Sequence, residues 1–250
     1  MPDELKAEEY IKTGIKGFDD LFEKGIPKGS AILLAGGAGS GKTIFSLQIF
    51  ANAVASGKKC FYMSLEENEE RLLSHIRNFG WEDKLNGGAY VIKRFNSFDI
   101  ARSVDALLAK AKGELLIDVE PIILPGGFKP DIVFVDSISA ISSAFVGHEG
   151  NYRSYIEQLF RFFEDIGSTS FLITETEELP YQFSKSGVEE FLADGVIVLY
   201  NVRRGDIREN AIEVLKMRGV KHEKKIVAMT IDKNGIAIYP EQQVWWVEKH

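Results

Sequence analysis

Ala31-Ile-Leu-Leu-Ala35-Gly36-Gly37-Ala38-Gly39-Ser40-Gly41-Lys42-Thr43-Ile44 decides the fold class of this chain. The apolar run over residues 31–35 predicts a short buried strand. Residues 43–54 have the length and periodicity of a helix. Between them, Gly36 to Thr43 matches G-x-x-x-x-G-K-[ST] in full, with a strand before it and a helix after it as the motif requires. Glycines let such a loop curl until its N–H groups point inward, and the helix behind adds the positive end of its dipole. The stretch therefore predicts a triphosphate cradle of Gly37, Ala38, Gly39, Ser40, Gly41, Lys42, Thr43 and Ile44. Lys42 reaches for the β- and γ-phosphates, and Thr43 offers its hydroxyl to Mg2+. A ligand-free glycine turn is the alternative; four glycines, the Lys-Thr pair and both flanks speak against it together.

Working outward, apolar runs at residues 59–64, 89–94, 131–136, 170–174 and 195–200 predict further strands, and residues 67–79, 99–112 and 151–166 predict helices. Strands alternating with helices imply an α/β fold with a mostly parallel, twisted sheet covered on both faces. The end of the chain differs. Runs at residues 211–218, 225–231 and 236–239 have no helices between them, and Gly219 and Lys233-Asn234-Gly235 mark the turns. They predict antiparallel strands added at one edge. At the other end, residues 12–30 read as an N-terminal segment in which Thr13 caps a short helix over 18–22. The segment 115–124 has no clear pattern.

With 250 residues, the chain is read as one large domain over 1–250. Its single cysteine, Cys60, lies in the run Cys60-Phe-Tyr-Met63 and reads as buried and reduced, in a cytoplasmic protein. The acidic opening MPDELKAEEY is not a signal peptide, and no apolar run approaches the roughly 20 residues of a membrane span, so no membrane partner is expected. The formal net charge of −7 argues against unaided duplex-DNA binding without excluding a local basic patch.

Several side chains outside the loop carry chemistry. Asp136 ends the apolar run Ile132-Val-Phe-Val-Asp136. An Asp at the tip of a buried strand beside a phosphate loop is a second Mg2+ anchor, often through water. Its alternative is a helix cap with Ser137; the strand leading into it favours the metal role. Glu66 and Glu67 follow the second strand, where a carboxylate can polarise the water that attacks a γ-phosphate. Ser64-Leu65-Glu66-Glu67 also reads as a capping box with Glu67 at N3, which leaves Glu66 free for chemistry. On a regular strand, Ile212, Val214, Lys216 and Arg218 share one face, with the two cations about 6–7 Å apart. Such a pair suits a phosphate clamp across a subunit boundary. A solvated strand end is the alternative, and composition favours it. His75 and His148 lack metal-ligand company.

Together with Thr13-Gly-Ile-Lys-Gly-Phe-Asp-Asp20, Phe79-Gly-Trp81, Gly187-Val-Glu-Glu-Phe191, Asp194-Gly-Val-Ile-Val-Leu199 and Leu215-Lys-Met-Arg-Gly-Val-Lys-His222, these residues carry a family resemblance. The chain resembles the KaiC-type ATPases of the RecA/DnaB superfamily over nearly its whole length. The resemblance implies a RecA-like P-loop core and a homo-oligomeric ring, usually a hexamer, with ATP or ADP and Mg2+ between neighbours. It implies Glu66 as general base with Glu67 beside it, Lys216 and Arg218 reaching the neighbour's γ-phosphate, and His222 near the nucleotide sugar or base. Where the family's autophosphorylating domain has adjacent Ser and Thr, this chain has Glu190 and Phe191, neither of which accepts a phosphoryl group. An ATPase is expected, and an autokinase is not.

Two other functions compete. One is a nucleic-acid motor, since relatives in the superfamily bind DNA with loops that correspond to residues 137–153 and 175–187. The second loop sets Glu175, Glu177 and Glu178 against one Lys185, a poor face for phosphates. Arg203, Arg204 and Arg208 cluster on what reads as a solvated hairpin tip. The other is a nucleotide-gated scaffold with negligible turnover, which uses Lys42 and Thr43 and makes Glu66 irrelevant. No protein partner is legible, and Val244-Trp245-Trp246-Val247 reads either as a packing segment or as a docking tail.

Overall fold

The computed structural model describes residues 9–110, 124–145, 147 and 149–244. His148, Trp245, Trp246 and nearly all of the patternless 115–124 segment lie outside the described residues. The chain opens with β1 (Tyr10–Ile11) and β2 (Ile26–Pro27), which pair antiparallel. The main body follows as β3 (Ala31–Gly36), α1 (Lys42–Ala55), β4 (Cys60–Ser64), α2 (Glu69–Asn78), β5 (Tyr90–Arg94), α3 (Ser97–Lys110), β6 (Ile132–Asp136), α4 (Ile138–Ala144), α5 (Glu149–Asp165), β7 (Thr169–Glu175), α6 (Val188–Leu192) and β8 (Gly195–Arg204). It closes with β9 (Ile207–Met217), β10 (Val227–Asp232) and β11 (Gly235–Gln243).

Among the described residues, nine strands form one sheet in the order β11-β10-β9-β8-β3-β7-β6-β4-β5. From β8 to β5 the neighbours run parallel; β9, β10 and β11 extend the β8 edge antiparallel. This is the expected mixed sheet of the RecA-like fold, and its strand tips at Gly36, Ser64, Asp136 and Glu175 all end at one edge.

The apolar runs arise because both faces are covered. Ile132 and Phe134 of β6 face the α1 layer, and Val133 and Val135 face the α4–α5 layer. On the α1 side, Tyr62, Phe134 and Phe171 stack across three strands with centroids 5.5 and 5.2 Å apart. Phe50 meets Tyr62 and Phe134 edge-on. Such offset and edge contacts add about 0.5–1.5 kcal/mol each beyond buried area.

Three local expectations are corrected. Thr13 does not cap a helix, and only a 3-10 turn, Asp19–Leu21, forms there. The Asp19 carboxylate instead accepts from Thr13 N (2.8 Å), Thr13 Oγ1 (2.9 Å) and Gly14 N (2.9 Å), closing the loop before it. Nor is Ser64-Leu-Glu-Glu67 a capping box. The helix starts later, at Glu69, with Asn68 Oδ1 accepting from Arg71 N at 2.9 Å. Ser64 closes a turn, donating to Glu67 O (2.7 Å) and accepting from Glu67 N (3.1 Å). Finally, β9 is not regular. Val196 faces Lys216 while Ile197 faces Val214, so Leu215 is an extra residue. Ile212 and Val214 therefore face the α1 core, while Lys216 and Arg218 turn to the opposite face.

The N-terminal segment is pinned to the last strands. Lys16 bridges Ala237, Ile238 N donates to Lys16 O (2.9 Å), and Glu23 N donates to Lys221 O (3.1 Å). Gly17 allows this approach: its φ is +77°, and a Cβ there would lie 2.0 Å from Ile238 O. Gly17→Ala is expected to cost about 3 kcal/mol by chemical denaturation. Gly29→Ala, also at positive φ but in open space, should cost nearer 1 kcal/mol. Equal costs would show that the segment is not seated on β11.

Candidate functional site

The loop between β3 and α1 is shaped as its glycines allow. Gly39 and Gly41 have φ of +72° and +94°. A Cβ at Gly36 would lie 2.5 Å from Leu199 O, and one at Gly41 would lie 2.5 Å from Ile231 Cδ1. Gly41 sits at the N-cap of α1 and brings no side chain to cap it, so first-turn amides remain open to an anion. Ser40 Oγ is buried and has no hydrogen-bond partner among the described residues. Lys42 is buried, and its Nζ donates to Gly36 O and Gly37 O, both at 2.9 Å. Burial lowers its pKa, against the opposing fields of Glu175, Asp136 and Glu66. A buried, loop-held ammonium facing carboxylates and a coil of open amides fits a polyphosphate with a cation.

Thr43 and Asp136 meet. Thr43 Oγ1 donates to Asp136 Oδ2 at 3.1 Å, and Tyr62 OH donates to the same oxygen at 2.8 Å. The Asp136 carboxylate caps no helix: Ser137 is the N-cap of α4 and makes no side-chain cap bond. The Asp136–Ser137 peptide is cis. Hydroxyl and carboxylate oxygens are the hard donors that Mg2+ takes, and phosphate and water oxygens complete its shell. Among the described residues no cluster of three His, Cys, Asp or Glu could hold a metal by protein ligands alone.

Burial raises the Asp136 pKa to about 6, with Glu66 adding to the rise and the Tyr62 and Thr43 hydrogen bonds and Lys42 opposing it. A folded-state pKa above the unfolded value means the ionised group costs stability above pH 6. That cost is relieved as pH falls from about 6 towards the ordinary carboxylate range. Asp136→Asn is thus expected to stabilise the nucleotide-free protein by up to about 3 kcal/mol at pH 8, with the gain shrinking below pH 6. Melting curves of both proteins at pH 8 and pH 5 check this; equal stabilities at pH 8 would contradict it.

The adjacent glutamates face different partners. Glu67 Oε2 takes Arg71 Nε and His75 Nε2, each at 3.0 Å, and is thereby tied to α2. Glu66 is exposed, accepts from Ser137 Oγ at 2.6 Å, and contributes to the fields felt by Lys42 and Asp136. It is not tied to α2 as Glu67 is, and it stands at the strand tips with Asp136 and Glu175.

Lys216 and Arg218 lie elsewhere. Lys216 Nζ donates to Ala193 O (2.6 Å) and Glu190 O (3.2 Å). Arg218 donates to Asp194 Oδ1 (3.1 Å) and Phe191 O (3.0 Å). Asp194 in turn accepts from Ala31 N, at the start of β3, whereas the phosphate loop begins at its end. About 15 Å of strand separates the pair from its own loop. Their partners are the Glu190, Phe191 and Ala193 carbonyls and the Asp194 carboxylate around the α6–β8 turn, and Arg218 stays exposed, as a solvated strand end would be. His222 bridges Phe22, with Nδ1 3.5 Å from Val220 O and a buried Nε2 that has no hydrogen-bond partner among the described residues. The structure therefore brings together Lys42, Thr43, Asp136 and Glu66, and keeps Lys216, Arg218 and His222 apart from them.

Sequence reasoning missed Tyr62, Ser46, Ser137 and Glu175. Glu175 sits across from Gly36 at the tip of β7, and its N–H donates to Ser139 Oγ at 2.8 Å. A polar residue closing an apolar run beside the loop is the signal that would have found it. Arg208 is no free cation either: it holds Glu178 Oε1 (2.8 Å) and Asn201 O (3.1 Å), and Asn201 Nδ2 donates to Gly39 O (2.8 Å).

Comparison with known proteins fits this picture. The family model "ATPase: KaiC" matches residues 11–243. The circadian clock protein KaiC3 of Synechocystis sp. is 33% identical over 238 residues, covering 93% of this chain and 46% of that protein. The circadian clock oscillator protein KaiC of Synechococcus elongatus is 30% identical over 258 residues, covering 95% of this chain and 45% of that protein. This chain thus spans less than half the length of either relative. The crystal structure of KaiC-like protein PH0186 from Pyrococcus horikoshii OT3 superposes with a TM-score of 0.71 at 30% identity, covering 92% of this chain and 99% of the other. A family match across almost the whole described chain, with a solved KaiC-like structure superposing over 92% of it, makes this protein a member of the KaiC ATPase family.

Proposed function

We propose that the chain hydrolyses ATP in a Mg2+-dependent reaction, in a homo-oligomeric ring with each nucleotide at a boundary between copies. The carrying observation is a site divided in two. Lys42, Thr43, Asp136 and Glu66 share one edge of the sheet, and the two cations suited to a γ-phosphate stand about 15 Å away at the other end of the strands. A single copy cannot join them; a head-to-tail neighbour can.

In this reading the cradle residues Gly37 to Ile44 hold the phosphates of ATP or ADP, and Lys42 leaves the Gly36 and Gly37 carbonyls to meet them. Thr43 and Asp136 would hold Mg2+, which would neutralise phosphate charge when bound. Glu66, aimed by Ser137, accepts a proton from the attacking water, with Glu67 beside it. Lys216 and Arg218 of the next copy steady the charge on the γ-phosphate, and its His222 lies near the sugar or base. With Glu190 and Phe191 where an acceptor hydroxyl would stand, phosphate passes to water and not to the protein. The regulatory output of the cycle rests on partners of unassigned chemistry.

The test is product analysis. Purified protein with ATP and Mg2+ should release phosphate, EDTA should stop release, and intact mass should show no phosphate gained between Gly187 and Asp194. Bound ATP with no release would favour the scaffold. No observation favours a nucleic-acid motor, since Arg208 is engaged by Glu178 beside the acidic 175–187 loop.

A further inference from the structure

We propose that Tyr62 is a positioning residue for the metal: its phenol, tethered by Ser46, fixes Asp136 so that one carboxylate oxygen is left to face the ion. The inference rests on the reading of Thr43 and Asp136 as the Mg2+ residues.

Tyr62 occupies the middle of β4, packed among Phe50 and Phe134. A Phe would fill that space without burying a hydroxyl, which costs roughly 1–3 kcal/mol by mutational measures if left unpaired. The hydroxyl is not unpaired. It donates to Asp136 Oδ2 at 2.8 Å and lies 2.9 Å from Ser46 Oγ. Ser46 Oγ also donates to Thr43 O at 2.9 Å, and Thr43 Oγ1 returns to Asp136 Oδ2 at 3.1 Å. Thr43 and Ser46 are three apart on α1 and so share a face. Four residues from α1, β4 and β6 thus close a hydrogen-bonded ring. Tyr62 and Ser46 are wholly buried and Asp136 nearly so.

Proton counting gives the ring its meaning. Tyr62 and Thr43 each spend their single hydroxyl hydrogen on Oδ2, and Ser46 divides its own between the Thr43 carbonyl and the phenol oxygen. Oδ2 receives two donors and Oδ1 receives neither. Oδ1 is therefore the oxygen free for the ion's water shell, held in place by a rigid ring stacked in the core. The same ring ties Asp136 to Thr43, so the two metal residues keep their spacing before any ligand arrives. Outer-shell donors of this kind change metal affinity about 10–100-fold when removed.

The experiment uses the full chain, a non-hydrolysable ATP analogue, and Mn2+ as a spectroscopic probe for Mg2+. For Tyr62→Phe, Mn2+ affinity of the analogue complex should fall about tenfold. Analogue affinity in excess EDTA should stay within about twofold, because neither Tyr62 nor Ser46 belongs to the phosphate cradle. Unchanged Mn2+ affinity, or equal losses with and without metal, would overturn the proposal in favour of a packing role. If Tyr62→Phe does not fold, Ser46→Ala decides on the same two readouts, since it frees the phenol and leaves the aromatic stack intact. Asp136→Asn separates the two levels. If it too leaves Mn2+ affinity unchanged, the metal reading itself fails; if it weakens Mn2+ while Tyr62→Phe does not, only the positioning role fails.

Discussion

Glu66→Gln is expected to lower Mg2+-ATP turnover by at least about 10²-fold while nucleotide affinity stays within a few-fold. Glutamine keeps the size of the side chain and can still accept from Ser137 Oγ, which lies 2.6 Å from Glu66 Oε1. It cannot take a proton from water. Glu66 makes no hydrogen bond to the phosphate loop among the described residues, so the cradle should survive the change. Glu67→Gln is the internal control: Glu67 is held by Arg71 and His75 on α2, so its loss should cost much less turnover. Equal losses at both positions would remove the distinction between the two carboxylates. An unchanged rate in Glu66→Gln would remove the general base altogether.

The second large effect concerns Arg218. Arg218→Ala should lose about 10³-fold or more in turnover, the range for a cation supplied to a γ-phosphate by a neighbouring molecule. That loss alone is ambiguous, because Arg218 also holds Asp194 and the Phe191 carbonyl in its own chain. Mixing resolves it. Lys42→Ala lacks the phosphate lysine and Arg218→Ala lacks the distant cation, so each should be inactive alone. In rings assembled from equal parts of the two, about a quarter of head-to-tail boundaries pair an intact loop with an intact Arg218. Activity should return to about that fraction after the chains are allowed to exchange. No recovery in confirmed mixed rings would mean that Arg218 acts only through its own chain's α6–β8 turn.

Much of this was legible in the sequence because it is local. The run at 31–35, the glycine coil and the helix behind it are contiguous, and both covered faces of the sheet show in runs such as Ile132-Val-Phe-Val. The antiparallel edge showed because Asn234-Gly235 and Gly219 punctuate strands with no helix between them. What was not legible depends on distant partners. Ser64-Leu-Glu-Glu67 fits a capping box by spacing, yet Asn68 sits one residue further on and is the better placed acceptor. The bulge at Leu215 hides in a strand whose alternation looks regular, and it sends Lys216 and Arg218 to the face opposite Val214. Tyr62 looks like one more core aromatic; its partner Asp136 is 74 residues away. Ser137 is the N-cap residue of α4, but its hydroxyl makes no cap bond and donates to Glu66, 71 residues earlier.

A site completed between copies is the centre of the account, and ATP hydrolysis per protomer as a function of protein concentration tests it most directly. Rates should be negligible where the protein is shown to be monomeric, climb as copies assemble, and level off once assembly is complete. A measurable rate that stays flat down to monomeric concentrations would contradict the account, because one chain would then hold every group the reaction needs.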